Sequence, residues 1–380
     1  MTQALNDGPL VSVMTMSYNY DIFIGKTIES VLNQTYKNIQ YIIVDDGSSD
    51  NSVEVVKSYE DPRIEFYPLA KNVGATAAYG IGYSKIRGDF VCNIDADDII
   101  LPEKTSKQIA CFAERPELDV LCTYTEVIDK QGERAPQPHP GEQWVNQPRD
   151  LNDPASWISQ NYVAHSSVMM RRRAHDDVGL LDPDMSAAPD YEHFLRLVAK
   201  GYKFHTLPEA LLQYRIHGEN ITHKAPEKTF IEMLYAFWRH LTPRLMERRR
   251  LSEIGARLHQ AATSEQFARL SFDARMRLLA VIASPPERVG SYAEFQKAWR
   301  EASPYTGMMM ESVLEYSPTA IEYRNMIANV GGTLSGLEWW RSQTESHARV
   351  AEQSRRRYNE FRSRVAEFLK NEMEIGDSNA

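Results

Sequence analysis

The sequence predicts an α/β domain built on a mixed, mostly parallel sheet flanked by helices, followed by an all-helical C-terminal region. Three observations predict it. Apolar runs of strand length end in polar or acidic turns at 10–20, 42–46 and 90–98, stretches with helical apolar spacing lie between them, and strand signals stop near Ala225. Strands that alternate with helices are joined by crossovers, which makes the sheet parallel, and ligands of such sheets collect at the carboxyl ends of the strands.

The first run, Leu10-Val11-Ser12-Val13-Met14-Thr15-Met16-Ser17, reads as a strand ending on Tyr18, Asn19 and Tyr20. Ile24, Ile28, Val31 and Leu32 then recur close to a 3.6-residue period, the mark of a helix. The second strand, Ile42-Ile43-Val44, runs into Asp45-Asp46-Gly47-Ser48-Ser49-Asp50, where Gly47 permits a sharp bend and Ser49 or Asp50 can cap the helix carrying Val53, Val55 and Val56. The strand Phe90-Val91-Cys92-Asn93-Ile94 is apolar enough to be buried on both faces, and it delivers Asp95, Asp97 and Asp98 within four positions. Carboxylates that close repel one another in a partly buried site unless a cation or a hydrogen-bonding ligand compensates them. The cluster is therefore a candidate divalent-metal site, with a solvated acidic turn as the alternative reading. From Lys130 to Pro154 four further prolines break the alternation, giving a loop beside the site in which Trp144 is a candidate for stacking on a sugar. Asp190 opens a helical stretch through Leu197, where it is either an N-cap or a carboxylate free to point into a cleft.

The order V-S-V-M-T-M-S-Y-N, S-V-L-N-Q-T-Y-K-N-I-Q-Y-I-I-V-D-D-G-S-S-D-N-S, N-V-G, D-A-D-D, H-S-S-V-M-M-R-R, P-D-Y-E-H-F-L-R-L, L-P-E-A-L-L-Q-Y-R and I-H-G-E-N-I-T resembles the family 2 glycosyltransferases of the GT-A fold over roughly the first three-fifths of the chain. The resemblance implies inverting, metal-dependent transfer of a sugar from a nucleotide-sugar donor, a UDP-sugar by the Tyr18 and Asp46 pair, to an acceptor hydroxyl of a glycan or lipid-linked glycan. It implies Tyr18 and Asp46 on the nucleobase, Asn72 and Gly74 in the loop over the nucleoside, Asp95 near the ribose or metal, and Asp97 on Mn²⁺ or Mg²⁺. His217 is implied near the metal and diphosphate, with Arg215 a donor contact and Asp190 the general base. His165 and Ser166 are implied as acceptor or sugar contacts. Two positions depart from the family pattern: Pro189 stands where Glu usually precedes the base, and Met16 where Pro is common.

The chemistry stands without the family. A nucleoside diphosphate leaves readily only when its developing charge is neutralised, and an acceptor hydroxyl needs a carboxylate to take its proton, a contribution of roughly 10²–10⁴-fold. A sugar-phosphate nucleotidyltransferase would carry a Gly-rich, basic loop after the first strand, which Ser17-Tyr18-Asn19-Tyr20-Asp21 is not. A non-catalytic nucleotide-sugar-binding scaffold is disfavoured by intact Asp95, Asp97 and Asp190.

A net charge of −9 over 380 residues argues against nucleic acid as a partner. The three cysteines, Cys92, Cys111 and Cys122, lie in or beside apolar elements and read as reduced core thiols of a cytoplasmic protein. No apolar run approaches the roughly 20 residues of a membrane span, and the first residues lack a basic-then-apolar signal. The expected domains are 8–224, catalytic, and 225–380, helical. In the latter, Tyr358, Phe361, Val365 and Phe368 form a heptad seam beside Arg355-Arg356-Arg357. That helix is a candidate for packing on its own domain, for homo-oligomer pairing, or for peripheral contact with the inner face of the cell membrane.

Overall fold

The computed structural model describes residues 8–158, 161–218, 220, 224–247, 251–282, 286–304 and 307. Eight strands form one mixed sheet in the order β3-β2-β1-β4-β7-β6-β8-β5. They are β1 (Val11–Ser17), β2 (Ile39–Asp45), β3 (Ile64–Pro68), β4 (Phe90–Asn93), β5 (Ile99–Ile100), β6 (Val120–Ile128), β7 (Met169–Arg171) and β8 (Phe204–Arg215). β3, β2, β1 and β4 run parallel, β7 is antiparallel to both β4 and β6, and β8 returns parallel to β6. The helices that cross between the parallel strands are α1 (Ile24–Leu32), α2 (Ser52–Lys57) and α3 (Ala75–Tyr83).

The apolar runs that marked β1, β2 and β4 reflect burial on both faces. In β2, Ile42 and Val44 join the core that holds Val91, Tyr191 and Phe194, whereas Tyr41 and Ile43 join the opposite core with Ile24, Ile28 and Cys92. Period-2 geometry with two packed faces leaves no polar phase. The three cysteines are buried and unpaired with one another.

α4 (Lys104–Glu114) precedes β6, and α5 (Pro140–Val145), α6 (Arg172–Val178) and α7 (Pro189–Lys200) follow it. The proline-rich stretch is pinned rather than loose. Asn146 bonds both the N–H and the carbonyl of Thr125 at 2.8 and 2.7 Å, and Glu142 accepts from the Val127 N–H at 2.8 Å. The side chain of Trp144 lies outside the described residues.

Past Pro226 come α8 (Pro226–Ala236), a π-helical turn (Phe237–Leu241), α9 (Thr242–Glu247), α10 (Leu251–Ala262), α11 (Glu265–Arg269), α12 (Phe272–Ile282) and α13 (Tyr292–Glu301). The change from strands to helices falls where the sequence puts it, but packing does not break there. Phe237, Leu241 and Leu245 are fully buried in the same core as Ile42, Val91 and Phe194. At roughly 1.5–3 kcal/mol for each large apolar side chain buried, that junction is part of the catalytic core's own stability. All the described residues belong to one compact unit. The heptad seam at 358–368 lies outside the described residues. Among the described residues no helix is long and apolar enough to cross a membrane.

Candidate active site

Because β2, β1 and β4 are parallel neighbours, their carboxyl ends, Asp45, Ser17 and Asn93, arrive at one edge of the sheet. The first acidic turn is closed on itself. Asp45 accepts from the Ser48 N–H and hydroxyl at 2.8 and 2.7 Å, and Asp50 accepts from the Ser52 N–H at 2.9 Å and so opens α2. Asn19, with φ of 60°, accepts from the Ser49 N–H at 2.8 Å and ties the end of β1 to this turn. Gly47 has φ of 70°, and a Cβ there would sit 2.5 Å from the Lys71 carbonyl carbon, so no other residue fits.

Asp46 is 1% exposed, and its two oxygens accept from the Val73 and Gly74 N–H groups at 2.7 and 3.0 Å. These two bonds anchor the 72–74 loop. Asn72 is exposed and accepts from the Gly74 N–H, and Gly74, with φ of 91°, begins α3. Tyr18 stands 41% exposed beside this loop's anchor turn, as a stacking platform requires.

The second acidic turn is different. Asp95, Asp97, Tyr79, His165, Asn161 and Asp190 line one cleft. Asp95 has 37% of its side chain open to that cleft, accepts from the Tyr79 hydroxyl at 3.1 Å and lies 3.4 Å from His165 Nδ1. Burial disfavours its ionised form, yet the hydrogen bond and charge of His165 hold its carboxyl below the ordinary value; His165 is in turn raised, burial being outweighed by Asp95. Asp97 is 6% exposed, with Oδ2 2.8 Å from His217 Nε2; burial pushes its carboxyl up against that bond. His217 itself stacks on Phe23 with ring centroids 4.9 Å apart. Asp98 is the extreme case. Its Oδ1 accepts from the Arg215 N–H at 2.9 Å, its Oδ2 is buried without a hydrogen-bond partner, and burial plus Asp97 and Asp95 push its carboxyl well above the usual range.

Three buried or half-buried carboxylates, one with an orphaned oxygen, are a donor set that suits a hard divalent cation. Asp97 and His217 are the two side chains that converge. Among the described residues no three His, Cys, Asp or Glu side chains gather as a complete ligand set, so a cation here would take further ligands from elsewhere.

Asp190 lines the same cleft from the second residue of α7, behind Pro189, whose missing N–H costs nothing at the first helical position. It accepts from Asn161 Nδ2 at 2.9 Å, and burial raises its carboxyl above the ordinary range, with His165 partly opposing. A carboxyl shifted upward is a stronger base once ionised.

Ser166 is 0% exposed and its hydroxyl accepts from the Asp95 N–H at 2.9 Å, so it holds the acidic turn. The Arg215 guanidinium donates to the carbonyls of Asp97, Asp129 and Lys130 at 2.7, 2.9 and 3.2 Å, which makes it a brace under the turn. His165 lines the cleft but faces Asp95 and Asn93, whose Nδ2 is 2.9 Å from Nε2. Sequence reasoning missed Tyr79 and Asn161, which carry no local signal, and Glu232 of α8. Glu232 did leave a trace, as a carboxylate inside an apolar stripe between Ile231 and Met233.

The sheet order and the acidic strand ends at one edge are those of a GT-A-like fold. Residues 12–179 match the family model described as Glycosyl transferase family 2, and that region is a family 2 glycosyltransferase domain. An uncharacterized glycosyltransferase of Methanocaldococcus jannaschii is 29% identical over 214 residues, covering 55% of this chain and 72% of that protein. TuaG of Bacillus subtilis, named for teichuronic acid biosynthesis, is 29% identical over 228 residues, 58% of this chain and 86% of that one. The crystal structure of S. aureus TarS residues 1–349 with UDP superposes with a TM-score of 0.55 at 16% identity, covering 83% of this chain and 88% of that chain, a likeness of fold.

Proposed function

We propose that this enzyme moves a sugar, with inversion, from a UDP-sugar to a hydroxyl of a glycan or lipid-linked glycan in cell-surface polysaccharide synthesis, with Asp190 as the general base. The observation that carries the reading is the cleft itself: Asp190 and the Asp95–Asp97 turn line one cavity. A donor seated with its diphosphate at the acidic turn presents the far side of its anomeric carbon toward Asp190, where an incoming hydroxyl loses its proton as the new C–O bond forms and the C–O bond to the diphosphate breaks. UDP is supported by exposed Tyr18 at the end of β1 and by the nucleotide in the TarS complex. The polymer context is supported by the teichuronic acid name of TuaG.

Asp97 and His217 would hold Mn²⁺ or Mg²⁺, with Asp95 beside them. Such an ion supplies charge neutralisation for the leaving diphosphate. Asn72, Val73 and Gly74 shape the loop toward the nucleoside, with Asp46 as its anchor. The acceptor reaches Asp190 through a second cavity that shares Asn161, Ala187 and Asp190 with the first and continues along Phe230, Gln260 and Gln266. An aromatic face and amides are groups that contact sugar rings and hydroxyls.

The test compares wild type with Asp190→Asn, a change that keeps shape and removes the base. UDP affinity in the presence of Mn²⁺ stays within about twofold, whereas UDP release from UDP-sugars falls by roughly 10²–10⁴-fold. Normal turnover in Asp190→Asn would refute the assignment.

A further inference from the structure

We propose that Glu232, in the helical region after the catalytic sheet, is the positioning residue that holds the base-bearing end of α7 in the cleft. The inference rests on Asp190 being the base.

The approach to α7 has an unmet need. The first turn of a helix leaves its N–H groups without partners, and the N-cap residue normally supplies a side-chain acceptor. Here the N-cap is Ala188, which has none. The Asp190 carboxylate takes the first-turn amides itself, and Glu232, from α8, holds the segment that leads into the turn. Its carboxylate accepts from the N–H groups of Ala187 and Ala188 at 2.8 Å each, and from that of Ser186 at 3.2 Å. The residue is 0% exposed, and Lys228 reaches toward it at 3.9 Å while bonding Ser186 Oγ at 2.5 Å. Three consecutive amides on one buried carboxylate fix both the path and the tilt of 186–188, and Ser186, Ala187, Pro189 and Asp190 all line the cleft. The anionic partner of this segment comes from more than forty residues downstream.

A second tie makes the arrangement two-point. His240, in the π-helical turn, meets Glu192 Oε1 at 2.8 Å, and Glu192 also pairs with Arg196. Glu192 lies one residue pair beyond Asp190 on α7, so the helical region grips α7 on both sides of its first turn.

Displacing a catalytic group by about 1 Å costs on the order of 10²-fold in rate. The experiment uses the full chain, UDP release from UDP-glucose, UDP-N-acetylglucosamine and UDP-galactose with Mn²⁺, and UDP binding by calorimetry. Glu232→Ala is expected to lower kcat by roughly 10–100-fold with UDP affinity within about twofold. Glu232→Gln, which keeps one acceptor oxygen, is expected to fall between wild type and Glu232→Ala. A loosened segment also hydrates Asp190, whose facing charged neighbours are His165 and Asp95, so the acid limb of the kcat profile moves to lower pH in the variants. Should Glu232→Ala fail to fold, Glu232→Gln carries the same readouts. Unchanged kcat and pH profile in folded variants, or equal loss of kcat and UDP affinity, overturns the inference while leaving the base assignment standing. Absence of UDP release by wild type with every donor overturns the base assignment and this inference together.

Discussion

The two acidic strand ends look alike in sequence and behave oppositely in the fold. At the end of β2, Asp45 and Asp46 spend their oxygens on nearby N–H and hydroxyl groups at 2.7–3.0 Å, so their charge is matched by the protein itself. At the end of β4, Asp95, Asp97 and Asp98 crowd one another, Asp98 keeps an oxygen without a partner, and the side chains that approach Asp95 and Asp97 include two histidines and a tyrosine. A satisfied carboxylate fixes a loop, whereas an unsatisfied cluster has affinity to spare for a cation or a diphosphate–cation pair. The lesson is that an acidic turn is judged by where its hydrogen bonds come from and not by its composition.

Three substitutions test that contrast. The largest effect is expected for Asp97→Ala, which should abolish the Mn²⁺-dependent part of UDP binding, a loss of at least about 100-fold if a coordinating carboxylate accounts for some 3 kcal/mol. Calorimetry with and without Mn²⁺ reads it; retention of the metal dependence would remove the distinction between the turns. Asp46→Ala is next. It frees the 73–74 amides and should weaken UDP by about 10-fold, on the scale of one or two lost hydrogen bonds, equally with and without Mn²⁺. A metal-dependent defect in Asp46→Ala would instead merge the two sites into one.

The smallest effect is expected for Asp98→Asn, and it appears in the pH dependence of stability. The raised Asp98 carboxyl contributes stability that is complete below its unfolded value and is lost as pH rises through its folded value. Thermal midpoints of the metal-free wild type should therefore fall more steeply from acid toward neutral and alkaline pH than those of Asp98→Asn. Parallel curves for the two proteins would show that Asp98 is not the strained member of its cluster.

The same contrast explains what was legible. Apolar strands, their acidic ends and Asp190 at the head of a helical stretch follow from local pattern: period, Gly47 at a bend, Pro189 at a first helical position. For Ser166 and Arg215, motif position says that a residue is near the site but not which way its polar atoms point. Ser166 faces the Asp95 N–H and Arg215 faces three carbonyls, and both orientations are set by partners distant in sequence.

By itself the sequence determined the α/β sheet, the placing of three acidic or polar strand ends at one edge, and the change to helices near 225, because each depends on residues within a few positions of one another. Tertiary structure alone decided which acidic turn is satisfied, that Asn161 meets Asp190, and that Glu232 and His240 reach back to α7, because those pairings span from 29 to 48 positions and form only when sheet and helices share a core.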